Sequence, residues 1–190
     1  MKKKGLIIGI AIVAVVVIII GAVIGSYNDL VETREEVNSA QASISTQLQR
    51  RADLIPNFVE TVKGYSNYEQ ETFTAVTEAR SALQKAENVG EQANAAAQLD
   101  SAIDIWVNAV TEAYPELKAG EQYRALQDNL ERTENRIAVA RRDYNQAAKE
   151  FNSEIKKFPR SILAGIFGFE AFDYFEADSG AQKVPQISFD

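Results

Sequence analysis

YRALQDNLERTENRIAVARRDYNQAAKEFNSEIKKF, residues 123–158, repeats its apolar side chains at intervals of three and four. Tyr123, Leu126, Leu130, Ile137, Ala140, Tyr144, Ala147, Phe151, Ile155 and Phe158 form a near-heptad ladder. That period belongs to an α-helix and not to a half-buried strand, which alternates every second residue. About 37 residues at 1.5 Å each give a helix of roughly 55 Å. Heptad spacing held over so many turns marks helices that pack at shallow angles, as in bundles and coiled coils. Pro159 closes the segment, having no amide hydrogen to donate.

Three upstream segments carry the same period. In the first, Tyr27, Leu30, Val37, Ile44 and Leu48 share a face that Arg34 and Gln41 interrupt. The second holds Phe58, Val62, Tyr65, Phe73, Val76, Leu83 and Ala86, and its stop is expected at Asn88-Val89-Gly90, where glycine can take the left-handed conformation. The third holds Leu99, Ile103, Trp106, Val110 and Ala113 and ends at Tyr114-Pro115. Between the first and second lies Asp53-Leu54-Ile55-Pro56. Here Asp53 caps a new helix with Pro56 in its tolerant first turn, or Pro56 kinks one continuous rod. Short connections make neighbours antiparallel.

After Pro159 the texture changes. Ala164-Gly165-Ile166-Phe167-Gly168-Phe169-Glu170-Ala171-Phe172-Asp173-Tyr174-Phe175 is aromatic-rich and punctuated by glycine. Gly180, Pro185 and the alternation Val184, Ile187, Phe189 follow. This tail is read as non-helical. Either it packs its aromatics onto the bundle or it offers an apolar edge to a neighbour.

At the other end, Gly5–Gly25 reads GLIIGIAIVAVVVIIIGAVIG, without one charged residue. Twenty-one residues span roughly 31 Å, the thickness of a hydrocarbon core. A cleaved secretory signal has a shorter apolar stretch and a small-residue cleavage motif, which Val23-Ile24-Gly25-Ser26 matches poorly. An uncleaved anchor is therefore expected. Lys2, Lys3 and Lys4 precede it, whereas the downstream flank has no basic residue before Arg34. Positive charge on the cytoplasmic side puts the N-terminus in the cytoplasm and residues 27–190 outside. Gly5 with Gly9 and Gly21 with Gly25 have the spacing that lets spanning helices approach closely.

Composition narrows function. The chain has 190 residues, net charge −7, no Cys and no His. Apart from Lys2, Lys3 and Lys4, 17 basic residues stand against 27 acidic ones. That balance opposes nucleic-acid binding, which needs a basic face. Without Cys or His there is no thiol nucleophile, imidazole base, disulfide or usual zinc site. Glu35-Glu36, Glu69 and Glu71 are unremarkable carboxylates, and a di-metal bundle site would need a Glu-x-x-His pattern. Phosphate loops and nucleophile elbows are missing from the sequence. No catalytic, cofactor-binding or metal-ligating residue is assigned.

Two charged clusters remain. Arg50, Arg51 and Asp53 sit beside Pro56 and could bind an acidic partner; locally, Asp53 would cap the next helix and the arginines would oppose a helix dipole. Arg141, Arg142 and Asp143, with Glu134 and Arg136 nearby, could set partner and register along the fourth helix, or form a solvated face. Tyr144-Asn145 and Tyr27-Asn28 put an aromatic on the seam beside a polar residue, which fits core packing.

The stretch Gln47–Tyr65, QLQRRADLIPNFVETVKGY, resembles the signature of the LemA family of bacterial membrane proteins. Tyr114–Ala119, Glu134–Asn145, Phe158-Pro159, Ala164–Phe169, Tyr174-Phe175 and Pro185–Phe189 agree with it, so the resemblance covers essentially the whole chain. One departure is Tyr68 before Glu69, where the family often has His. The resemblance implies a membrane-anchored helical bundle and brings no catalytic residues. It also brings association with membrane shaping in magnetosome-forming bacteria and, elsewhere, proximity to envelope proteases.

The expected architecture is all-α. Residues 1–4 form a basic cytoplasmic tip and 5–25 a single transmembrane helix. Residues 26–158 form an elongated antiparallel bundle of about four helices, and 159–190 an irregular aromatic tail. The expected protein is a non-enzymatic structural or interaction protein of the bacterial envelope, touching the lipid bilayer and other copies of itself. The alternative is an adaptor for an envelope protease or signalling protein. Candidate interaction residues are Gly21, Gly25, Arg50, Arg51, Asp53, Arg141, Arg142, Phe167, Phe169, Phe172, Tyr174 and Phe175.

Overall fold

The computed structural model describes residues 2–63, 70–86 and 88–175. α1 spans Lys2–Lys63, α2 Gln70–Lys85, α3 Val89–Ala113 and α4 Glu121–Glu154. α5 spans Arg160–Phe167, and a 3-10 turn, Pro115–Ala119, joins α3 to α4. No strand occurs among the described residues. The expectations for Tyr65, Tyr68, Glu69, Gly180, Val184, Pro185, Ile187 and Phe189, and for the side chains of Phe58, Val62 and Phe73, lie outside what is described.

α1 runs through Pro56 without interruption, which resolves the two readings of Asp53–Pro56 in favour of the single rod. A proline inside a helix forfeits one hydrogen bond and costs about 3 kcal/mol. Leu48, Ala52 and Ile55, all buried, hold the helix in register on either side of that lost bond. Burying each large apolar side chain contributes about 1.5–3 kcal/mol, enough to offset it.

Three other boundaries differ from the reading of the sequence. Asn88-Val89-Gly90 starts α3 instead of stopping α2. Asn88 is the N-cap, its side-chain oxygen accepting from the Glu91 amide at 2.9 Å, and Gly90 lies in the first turn. The same triplet suits either role, because Asn is a preferred N-cap as well as a tolerated stop. α4 ends at Glu154, so Phe158 leaves the ladder and is 82% exposed. Beyond Pro159 the chain first makes two helical turns, α5, before turning irregular. Ser161, Ile162, Leu163 and Ile166 provide a helical pattern that the flanking glycines obscured. Gly168 ends α5 at φ +70°, the left-handed value that favours glycine, and the Phe169 amide donates to the Ala164 carbonyl at 2.9 Å.

The chain forms two compact units. One contains residues 1–39 and 146–172 and is centred on Leu30, Val37, Ala148, Phe151, Ile155 and Ala164. The other contains residues 40–145 and 173–190. Its core is made by Ile44, Leu48, Val76, Leu99, Ile103, Trp106, Val110, Leu117, Ile137 and Tyr144, with α2 packed along α3. Most of the apolar positions read from the sequence are buried; Tyr27, Ala113 and Phe158 are exposed, Ala86 and Leu130 are half-buried, and Ala148 takes the place expected for Ala147.

The N-terminal part of α1 is the one helix among the described residues long and apolar enough to cross a membrane, and none of its apolar run is buried. Eleven of its Ile and Val residues from Ile7 to Ile20 are large side chains with about half or more of their surface open. Gly21 and Gly25 have open space where a Cβ would stand.

Candidate functional site

In the unit of residues 40–145 and 173–190, Arg51 lies next to Ala52 on the inner side of α1 and is only 7% exposed. A buried guanidinium requires partners. Two carboxylates supply them. Its Nη2 stands 2.8 Å from Asp100 Oδ1 of α3, and its Nη1 bonds Glu134 Oε2 of α4. One planar, permanently charged fork therefore ties together three helices.

The node sits in a cleft of about 460 Å³ whose walls also carry Asp104, Asp128 and Glu131. Burial pushes the Asp100 carboxyl up to about 6, Arg51 pulls against that shift, and Glu134 adds to it. Arg141 and Asp104 contribute smaller opposing effects. Asp100 is consequently a carboxylate that can exchange a proton in mildly acidic water. Among the described residues no three carboxylate side chains are grouped as a metal would need.

Asp53 does not cap a helix, because α1 has no end there. It accepts from Gln49 Nε2 at 2.9 Å and pairs with Arg80 of α2 at 3.6 Å. Arg50 is exposed, and with the helix continuing past it no dipole end lies nearby to oppose. Arg51 and Asp53, expected as one cluster, thus serve different helix contacts. Arg141 lies 5.6 Å over the Phe175 ring, within cation–π range. Arg142 is exposed and lies 3.4 Å from its neighbour Asp143.

The tail is held by a device the sequence reading missed. Asn145 donates from Nδ2 to the Phe175 carbonyl and accepts from the Phe175 amide, both at 2.8 Å. Phe175 is buried, edge-on to Tyr144 at 5.4 Å, and the Tyr144 hydroxyl donates to the Asp173 carbonyl at 2.9 Å. Burial, reinforced by Asp173, raises the Tyr144 phenol above its ordinary range.

In the unit of residues 1–39 and 146–172, Asn152 repeats the device on Phe172, donating to its carbonyl and accepting from its amide at 2.8 Å each. Phe151 packs edge-on against Phe172 and Phe169, with ring centres 5.2 Å and 6.1 Å away. The signal was legible: an aromatic-Asn pair occurs twice at heptad spacing, Tyr144-Asn145 and Phe151-Asn152. Asp100 gave no such signal, being one acidic residue among many on a helix surface.

The same unit carries a second charge cluster and an aromatic contact close to the apolar run. Arg160 Nη2 stands 2.6 Å from Asp29 Oδ2, and its Nη1 bonds Glu154. Lys157 also pairs with Glu154 at 2.7 Å, and its hydrogen bond holds that carboxyl below the usual range. Tyr27 packs against Phe167 and Phe169 with ring centres 4.8 Å and 5.8 Å apart. The tail is thus partly core and partly surface. Phe175 is buried, Phe169 and Phe172 half-buried, and Phe167 and Tyr174 about half exposed.

The LemA family model matches residues 40–189. The magnetosome protein MamQ 2 of Paramagnetospirillum magneticum is 27% identical, over 91% of this chain and 72% of its own. MamQ of Magnetospirillum gryphiswaldense is 25% identical, over 85% of this chain and 70% of its own. Protein LemA of Metamycoplasma hominis is 30% identical, over 74% of this chain and 64% of its own length.

Proposed function

The chain belongs to the LemA family, and on that premise we propose that it is a non-enzymatic scaffold that self-assembles on the surface of a bacterial cytoplasmic membrane. Membership and the apolar N-terminal helix fit a single-pass membrane protein. Lys2–Lys4 favour a cytoplasmic N-terminus and an extracytoplasmic helical part. The chain is similar to magnetosome proteins, and a role of the assembled copies in shaping the membrane is part of this proposal.

The observation that carries self-assembly is a shallow groove between α2 and α3. Ala75, Ala79, Ala82, Ala97, Ala102 and the 58% exposed Ile105 make most of its lining, and Glu78, Gln98 and Ser101 the rest. Small side chains let another helix approach closely, and an apolar residue so open to water gains by being covered. The Arg51 and Arg160 clusters are engaged in holding helices together.

The test is light scattering on the full-length protein, extracted in detergent, across a range of concentrations. Several copies per particle are expected, and Ile105→Glu should reduce that number without loss of helicity. A monomer at every concentration overturns self-assembly.

A further inference from the structure

We propose that α5 is an interfacial helix, lying in the headgroup layer of the same membrane that holds the apolar run of α1. The proposal rests on the reading of that run as a membrane anchor and adds a second contact with lipid, made by a part of the chain more than a hundred residues away.

Position is the first argument. Tyr27 is two residues past Gly25, the end of the charge-free run, and so rises about 3 Å beyond it along the helix. The headgroup layer on each side of a hydrocarbon core is about 5–7 Å thick. Tyr27 is therefore inside that layer, where tyrosine is enriched. Phe167, the last residue of α5, packs against Tyr27 with ring centres 4.8 Å apart, and Phe169 does so at 5.8 Å. Arg160, the first residue of α5, is tied to Asp29 at 2.6 Å. Both ends of α5 are thus fastened to α1 within four residues of the end of the apolar run.

Surface chemistry is the second. α5 buries Ala164, while Ile162 and Ile166 are 54% and 70% exposed and Phe167 51%. Phe158, in the turn that leads into α5, is 82% exposed. Isolated exposed apolar residues are ordinary, but here they cluster on one short element. Ile24, 55% exposed, stands one turn before Tyr27 on α1. Lys156 and Lys157, both exposed, stand in the same turn as Phe158; Lys157 is paired with Glu154 at 2.7 Å, and Lys156 is the ammonium placed to meet a lipid phosphate. Apolar side chains beside a basic turn, held at headgroup depth, match a lipid surface better than a second protein.

The chain contains no Cys, so single cysteines can be introduced and spin-labelled without background. The full-length protein would be placed in vesicles of phosphatidylethanolamine and phosphatidylglycerol. Labels at Ile162→Cys and Ile166→Cys would be compared with Val16→Cys in the apolar run and Glu131→Cys on α4. Collision with oxygen reports lipid, and collision with a water-soluble nickel complex reports solvent. We expect residues 162 and 166 to favour oxygen, less strongly than residue 16 and several-fold more than residue 131. If residue 16 reports lipid while 162 and 166 match residue 131, the interfacial helix is overturned and the anchor stands. If residue 16 itself reports water, the anchor reading falls and this proposal with it. Shielding of 162 and 166 from both reagents would mean that a protein covers α5, which also overturns the proposal. Phe158→Ser combined with Ile166→Ser should leave helicity unchanged and lower the oxygen preference at residue 162.

Discussion

Arg51 of α1 and Asp100 of α3 meet at 2.8 Å, with 9% of the arginine side chain and 31% of the aspartate exposed to water. An ion pair so placed gains little over an apolar substitute, yet is costly to break by halves, since one charge is then left buried without its partner. Arg51→Leu leaves Asp100 and Glu134 facing each other. Both carboxylates stay partly open to water, so a loss of about 1–2 kcal/mol is expected, read from the urea midpoint of helicity in detergent. Removing the whole set, as Arg51→Met with Asp100→Asn and Glu134→Gln, should recover most of it. Equal destabilisation in both variants would show that the node works through packing alone.

The same aspartate gives stability a dependence on pH. Its carboxyl, at about 6 when folded, lies above its ordinary 3.8. The folded state therefore holds this proton more tightly than the unfolded state. The contribution of Asp100 is greatest below about pH 4 and falls away as pH rises through about 6. Glu154, lowered by Lys157, acts in the opposite sense, losing its contribution as pH falls below the ordinary carboxylate range. Comparing wild type with Asp100→Asn cancels Glu154 and isolates Asp100. The stability of the variant relative to wild type should rise between about pH 4 and 7. Parallel curves would refute the assignment.

Asn152 accounts for two bonds to the backbone of Phe172. Asn152→Ala should cost about 1–3 kcal/mol, because both backbone groups lose a partner in a partly buried place. Hydrogen exchange at the Phe172 amide should accelerate. Exchange at Phe175, which Asn145 holds, serves as the internal reference.

Gly168 sits at φ +70°. Gly168→Ala should destabilise by about 1–2 kcal/mol, the penalty for placing a Cβ in the left-handed region. Its effect should be concentrated in α5, visible as faster amide exchange over residues 164–169. Gly165→Ala, at a helical position with open space for a Cβ, should be neutral or mildly stabilising.

What the sequence disclosed followed from period and polarity. Most of the apolar ladder of α4, and Leu30, Val37, Ile44 and Leu99 on the other faces, are buried as read, because burial of a helix stripe is imposed residue by residue; Phe158, past the end of α4, is not. The boundaries were harder. Pro56 marks a break locally, but tertiary burial of Ala52 and Ile55 carries α1 through it. Asn88-Gly90 suits a stop and a start alike, and only the capping bond to Glu91 separates them. Arg50, Arg51 and Asp53 look like one patch in sequence. A turn of 100° per residue sends Arg51 inward and leaves Arg50 in solvent. The partners of Arg51 come from 49 and 83 residues further on, a distance over which no local pattern speaks.

The two asparagine clamps have one more consequence. Residues 169–175 are non-helical, and backbone that makes no helix presents amides and carbonyls much as the rim of a β-sheet does. At Phe172 and Phe175 a side-chain amide occupies both groups, imitating the adjacent strand that is missing. Each clamp therefore caps an adhesive site as well as fastening a segment. A chain stripped of both would not merely loosen: its aromatic ribbon could zip onto the ribbons of other chains. The damage would then be seen as insoluble aggregate before any drop in melting temperature.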